Sequence, residues 1–229
     1  MSSDLAELPD PAGLLLDLDG TLVDTVATRI EAWLSTFAEV GIPADREHVA
    51  RLIGADGKRL AHEVAGVAGR EISGQRAEAI DRRAGGVYSR LNSDPQPLPG
   101  ARQLLRALER SRLPWAIATS SRAEQVHASV AVLGLAGQPR IVDGSQVEHA
   151  KPAPDLLLAG AEILGVAALG CWCVGDSTWD MAAANAAPMT AVGVPSGAVS
   201  GEDLLAAGAD AVAELGAIES DLRRRGLLD

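Results

Sequence analysis

The feature that most limits what this chain can fold into is a rhythm that begins near residue 101. A helical segment over Ala101–Ser111 precedes an apolar run at Trp115–Ala118, and a helix over Glu124–Leu133 precedes Ile141-Val142. A helix over Pro154–Leu164 then leads to Cys171–Val174, and a helix over Trp179–Ala187 to Thr190–Val194, with Ala209–Val212 as a last edge strand. Parallel strands need crossover connections, usually helices, so this alternation predicts a parallel sheet with helices on both faces, an α/β Rossmann-like core. An earlier run, Leu14-Leu15-Leu16, stops abruptly at acidic residues, as a buried parallel strand does when its end reaches a site.

Between Thr25 and about Leu91 no strand is legible. Arg29–Val40 carries Ile30, Trp33, Leu34 and Phe37 at helical spacing and is closed by Gly41, and Arg51–Ala65 and Arg76–Leu91 are also helical in composition. A Pro-rich stretch, Asn92–Gly100, follows and reads as a boundary. The predicted organisation is a catalytic core of residues 1–25 and 97–229, with a small all-helical domain, residues 26–96, inserted after the first strand.

With 229 residues, 47% of them hydrophobic, the chain can bury a substantial core. Its formal charge of −11 excludes non-specific nucleic-acid binding, which needs a cationic surface, but not small anionic substrates. Met1–Gly13 is acidic and lacks an apolar signal core, and the longest apolar stretch, Leu156–Gly175, is broken by Glu162 and three glycines. A cytoplasmic protein without a membrane span is therefore expected. Cys171 and Cys173, the only cysteines, are two residues apart on one strand, an awkward geometry for a disulfide, and read as buried small hydrophobes. The histidines (His48, His62, His127, His149) show no metal-ligand spacing; His149, near Lys151, is the one expected to approach the site.

In an open parallel sheet, ligands bind beyond the carboxyl ends of the strands. The residues there are Asp17-Leu18-Asp19-Gly20-Thr21, then Thr119-Ser120-Ser121, Lys151 and Gly175-Asp176-Ser177. Asp17 and Asp19 share a side if the strand continues, and two like charges that close repel unless a cation intervenes or one is protonated. A lone D-x-D is more often a polar strand end. Here Asp176 follows another buried strand and Asp180 lies one helical turn further on, so three carboxylates converge into a hard-oxygen site suited to Mg²⁺. Lys151 stands just before a helix, where a cation opposes the macrodipole unless an anion shares the place; otherwise it is a solvated surface lysine. Thr119 and Ser120 suit either helix capping or a phosphoryl oxygen.

The order of these pieces resembles the haloacid dehalogenase superfamily. Asp17-x-Asp19-Gly20-Thr21-Leu22-Val23-Asp24-Thr25 is similar to its first motif, Ile117-Ala118-Thr119-Ser120 to its second, Lys151-Pro152-x-Pro154-Asp155 to its third, and Val174-Gly175-Asp176-Ser177-x-x-Asp180 to its fourth. The helical insert falls where the phosphoglycolate phosphatase and β-phosphoglucomutase branch carries its cap. The resemblance implies a Mg²⁺-dependent phosphatase acting on a small phosphorylated metabolite, as a monomer or homodimer. It implies Asp17 as nucleophile, forming an aspartyl-phosphate, and Asp19 as acid and then base. It further implies Gly20, Thr119, Ser120 and Lys151 around the phosphoryl group, and a metal held by Asp17, the backbone oxygen of Asp19, and Asp176. Asp180 would orient a metal-bound water or Lys151.

Within that superfamily, haloacid dehalogenases lack an acid at the position of Asp19, and phosphonate-cleaving relatives use a small residue there; its presence favours phosphoryl chemistry. β-Phosphoglucomutases share Asp19, the helical cap and a threonine like Thr25, but carry histidine where this chain has Arg29, so a phosphosugar mutase is the alternative. A non-catalytic phospho-ligand binding protein is a third reading. Arg29, Lys58 and Arg59 are cap candidates for substrate contact, each also readable as a surface cation. Pro188 stands where the family carries glycine, and Trp179 either walls the pocket or packs under the cap.

Overall fold

The computed structural model describes residues 4–229; Met1–Ser3, the start of the acidic N-terminal stretch, lie outside the described residues. A short 3-10 turn at Leu5–Glu7 leads to β1 (Gly13–Leu16) and β2 (Val23–Asp24). Four helices follow: α1 (Val26–Glu39), α2 (Arg46–Leu52), α3 (Gly57–Val67) and α4 (Gly74–Leu91). The chain then forms β3 (Gln96–Pro97), α5 (Ala101–Arg110), β4 (Trp115–Ala118), α6 (Ala123–Ala131), β5 (Ile141–Val142) and α7 (Asp155–Leu164). It closes with β6 (Cys171–Gly175), α8 (Thr178–Ala186), β7 (Thr190–Gly193), α9 (Gly201–Ala206), β8 (Ala211–Val212) and α10 (Leu215–Arg224).

Six strands make one parallel sheet in the order β5-β4-β1-β6-β7-β8. Side chains alternate across it, and each face has its own core. Leu14, Leu16, Ile117, Trp172 and Val174 pack with Leu104, Leu108, Ile218 and Leu222 of α5 and α10. Leu15, Ala116, Ala118, Cys171 and Cys173 pack with Leu157, Ala161, Met181 and Ala184 of α7 and α8. Both cysteines are buried and unpaired, as small apolar residues. Each fully buried leucine of β1 contributes roughly 1.5–3 kcal/mol, enough to fix the strand at the centre of the sheet. Because the chain visits β4 and β5 on one side of β1 and then crosses to β6 on the other, the order reverses at β1. The crevice beyond the ends of β1, β4 and β6 is where a ligand site belongs.

The insert has a core of its own. Val26, Ile30, Trp33 and Phe37 of α1 pack against Val49 and Leu52 of α2, Leu60 and Val64 of α3, and Ile80 and Ala84 of α4. The helix expected over Arg51–Ala65 is two helices. Gly54, at φ 95°, breaks the run, and the Asp56 side chain accepts from the N–H groups of Lys58 and Arg59 to start α3. The Pro-rich stretch also does more than link: β3 pairs antiparallel with β2, Val23 opposite Pro97, so the strands entering and leaving the insert are stitched together. With no strand on its other side, β3 tolerates the proline. The turn before β7 places Pro188 at φ 20°, the only positive φ at a non-glycine position among the described residues. No helix among the described residues is long and apolar enough to cross a membrane.

Candidate active site

The loop after β1 folds back tightly: the N–H groups of Leu22 and Val23 both donate to Leu18 O, and that of Gly20 donates to Val23 O. This tight loop holds Gly20 at φ 90°, and a Cβ there would stand 2.3 Å from Asp176 Oδ2, so glycine is required twice over. Thr21 then donates its hydroxyl to Asp176 Oδ1 at 2.7 Å, joining the ends of β1 and β6.

Asp17, Asp176 and Asp180 offer carboxylate oxygens that all lie within 4.8 Å of one another, and all three residues are buried. Lys151, 1% exposed, donates to Asp17 Oδ1 at 2.5 Å and to the Ala118 carbonyl at 2.8 Å, and its Nζ lies 2.6 Å from Asp180 Oδ1. Two of its N–H groups are thus hydrogen-bonded to protein, and the ammonium meets Asp180 as an ion pair. Burial alone would lower the Lys151 pKa, but Asp17 and Asp180 raise it, so it is held as an ammonium. Burial pushes Asp17 up to about 7 against the pull of Lys151, and raises Asp176 well above the usual carboxylate range, helped by Asp17 and Asp180. Three carboxylates against one ammonium leave a formal surplus of two negative charges. Asp180 Oδ1 is also buried without a hydrogen bond, since Lys151 meets it as an ion pair only. Hard oxygen donors with that surplus fit a divalent cation such as Mg²⁺.

Asp19 points into a different environment. Its Oδ1 accepts from the Thr25 hydroxyl at 2.7 Å and the Tyr88 hydroxyl at 2.8 Å, and its Oδ2 from Arg29 at 2.8 Å and Ser121 at 2.6 Å. Burial would raise its pKa, but Arg29 and these donors hold it below the ordinary carboxylate value. Arg29 also donates to Gln125 and Ser121, and its guanidinium lies 3.6 Å from the centre of the Tyr88 ring. With its side chain turned here, the Asp19 carboxylate stands apart from the cluster of Asp17, Asp176 and Asp180.

A cavity of about 50 Å³ lies between sheet and insert, lined by Asp17, Asp19, Thr119, Ser120 and Ser121 on one side and by Arg29, Trp33, Leu60 and Asp81 on the other. Thr119 and Ser120 sit at its floor without capping α6. Thr119 Oγ1 accepts from the Ser121 N–H, and the Ser120 hydroxyl donates to the Gly54 carbonyl of the insert. Lys58 and His149 line neighbouring clefts outside this cavity, with His149 exposed beside Asp155. Trp179 packs under the insert, its indole N–H donating to the Arg51 carbonyl, and does not line the cavity.

Tyr88 and Gln125 carry no signal in the sequence that marks them as site residues, since both sit far from the motifs. Gly197 was also missed: a Cβ there would lie 1.9 Å from Asp176 Oδ2. Lone Tyr, Gln and Gly residues carry no spacing signal.

The profile of haloacid dehalogenase-like hydrolases matches residues 14–194. Hexitol phosphatase A of Escherichia coli (strain K12) is 34% identical over 169 residues, covering 72% of this chain and 74% of that protein. Fructose-1-phosphate phosphatase YqaB of the same strain is 32% identical over 187 residues, covering 80% and 96%. Among solved structures, a hydrolase from Pseudomonas syringae superposes with a TM-score of 0.87 at 33% identity, covering 93% of this chain and 98% of that one. A sheet reversing at β1, a buried carboxylate cluster at that point and a match over most of the length agree: the chain belongs to the haloacid dehalogenase-like hydrolases.

Proposed function

We propose that this protein is a Mg²⁺-dependent phosphatase that hydrolyses a small phosphomonoester through an aspartyl-phosphate on Asp17. The observation that carries the reading is the position of Asp17, held by Lys151 at one edge of the three-carboxylate cluster while its other oxygen, Oδ2, takes no hydrogen bond among the described residues. The phosphatase names of the two relatives support it. Asp17, Asp176 and the backbone oxygen of Asp19 would hold Mg²⁺, with Asp180 bracing Lys151 beside them. The cation supplies the charge neutralisation that lets a carboxylate meet an anionic phosphate.

In the first half-reaction an Asp17 oxygen bonds to phosphorus, the ester P–O bond breaks, and the departing alcohol takes a proton from Asp19. In the second, Asp19 takes a proton from water, the hydroxide oxygen bonds to phosphorus, and the bond to Asp17 breaks, releasing phosphate. Thr119 and Ser120 line the cavity beside Asp17, where the Thr119 hydroxyl and the Ser120 N–H would hold the phosphoryl oxygens.

The described state suits the second half better than the first. Asp19 is held as a carboxylate by Arg29, ready to accept a proton but not to give one. A cavity of about 50 Å³ holds only a few water molecules. Substrate entry therefore requires the insert to part from the sheet, and Arg29, carried on α1, leaves Asp19 when it does. Closure over bound ester then sets the acid and its partner anew.

The test is phosphate release from 4-nitrophenyl phosphate with Mg²⁺ and with chelator, wild type beside Asp17→Asn. Metal-dependent release absent from the variant is expected; release that the variant retains sinks the reading.

A further inference from the structure

The wall that would face the leaving group takes no part in the chemistry above. Opposite Asp17 stand Asp81 on α4, Arg122 at the start of α6 and Trp33 on α1. Arg122 Nε and Nη2 donate to one oxygen of Asp81, Oδ2, at 3.1 and 2.8 Å, and Nη2 also donates to Glu78 at 2.9 Å. The second oxygen, Asp81 Oδ1, takes no hydrogen bond among the described residues. It lies against Gly57, where a Cβ would be only 1.9 Å from it. Gly57 begins α3 without a positive φ, so what its missing side chain provides is room for this oxygen. Asp81 and Gly57 both line the cavity.

The charge balance of this wall is equally specific. Of the two guanidinium groups that border the cavity, Arg29 faces Asp19, and Arg122, the one on this wall, is already matched by Asp81 and Glu78. A leaving group with a second carboxylate or phosphate would find Arg122 already paired and would face the Asp81 oxygen. A neutral leaving group rich in hydroxyls finds the opposite: a carboxylate oxygen that strengthens O–H donation, and the Trp33 ring for its C–H face. A hydroxyl donated to Asp81 satisfies an acceptor that is otherwise half-buried and unused.

We propose that this wall selects phosphate esters of neutral polyhydroxylated alcohols, a sugar or a sugar alcohol, with Asp81 accepting their hydroxyls and excluding leaving groups that bear a second negative charge. The proposal rests on the phosphatase reading of the same site.

The test is steady-state kinetics with Mg²⁺ on sorbitol 6-phosphate and fructose 1-phosphate against phosphoglycolate and fructose 1,6-bisphosphate, with 4-nitrophenyl phosphate as reference. Wild-type kcat/KM is expected to favour the neutral-alcohol esters by about a hundredfold. Asp81→Asn should cut that ratio by about tenfold, mainly through a lower KM for the doubly anionic esters. Arg122→Gln, which strips Asp81 of its counter-charge, should widen the ratio, and serves if Asp81→Asn does not fold. Equal or reversed preference in the wild type overturns the proposal, as does a ratio that neither folded variant moves. Release from the aryl ester without a polyol preference defeats this proposal alone; no release from any ester defeats the phosphatase reading and this proposal with it.

Discussion

Asp17 and Asp19 lie two residues apart, are both nearly buried, and are held in opposite electrostatic states. Asp17 sits among like charges, with Asp176 and Asp180 around a single lysine, and its pKa is driven up to about 7 by burial first. Asp19 is ringed by donors, Arg29, Ser121, Thr25 and Tyr88, and its pKa is held down. The first surrounding comes from the sheet and carries a formal surplus of negative charge. The second borrows Arg29 and Tyr88 from the insert and is already neutral. In the proposed reaction the first carboxylate would bind the metal and attack, and the second would exchange protons.

The most severe way to break that contrast is Asp17→Asn. It keeps the shape and removes the nucleophile, and turnover should fall by about 10⁴-fold or more with the circular dichroism spectrum unchanged. Arg29→Gln attacks the other side. Without the guanidinium, the pKa of Asp19 rises, so the acidic limb of the pH–rate profile should move to higher pH and kcat should fall by about 10–100-fold. An unmoved limb would separate Asp19 from the proton transfers.

Asp176→Asn tests the cation side through stability. Carboxylates whose pKa is raised on folding weaken the metal-free protein as pH climbs from the unfolded value near 4 through about 7 for Asp17. Below that window they are protonated and the cost is gone. The Mg²⁺-induced rise in Tm should therefore be larger at pH 8 than at pH 5.5, and should vanish in the variant, whose metal-free Tm at pH 8 rises by about 2–4 °C for each kcal/mol of repulsion relieved. A variant still stabilised by Mg²⁺ to the wild-type extent would move the cation elsewhere. The smallest effect is expected from Tyr88→Phe, which removes one of four hydrogen bonds to Asp19 and should cost about 1 kcal/mol in urea unfolding.

Much of this contrast was legible before any coordinates. The strand ends, each an aliphatic run stopping at Asp17, Thr119 or Asp176, announced the sheet and the site together, because a buried strand can tolerate a charge only where it emerges. The period of Ile30, Trp33 and Phe37 announced the insert. Other parts were misjudged for reasons of local chemistry: the break at Gly54 interrupts a segment of helical composition, and β3 hides among prolines that argue against a strand. Lys58 carries the charge expected of a substrate contact but lies in a cleft beside the cavity, where the first turn of α3 puts it. Helix α10, beyond the last strand expected from the sequence, is marked by Leu215, Ile218 and Leu222 on its buried face.

The sequence by itself determined the order of strands and helices, the identity of the acids and the lysine at the strand ends, and the place of the insert. These follow from short-range rules of periodicity and from the cost of burying a charge. Only the tertiary structure decided which charges meet. Asp19 is joined by Tyr88, 69 residues away, and Ser121, 102 residues away, and Asp81 by Arg122 across the seam between insert and sheet. Such pairings depend on how two separately packed cores face each other, and no local pattern encodes that.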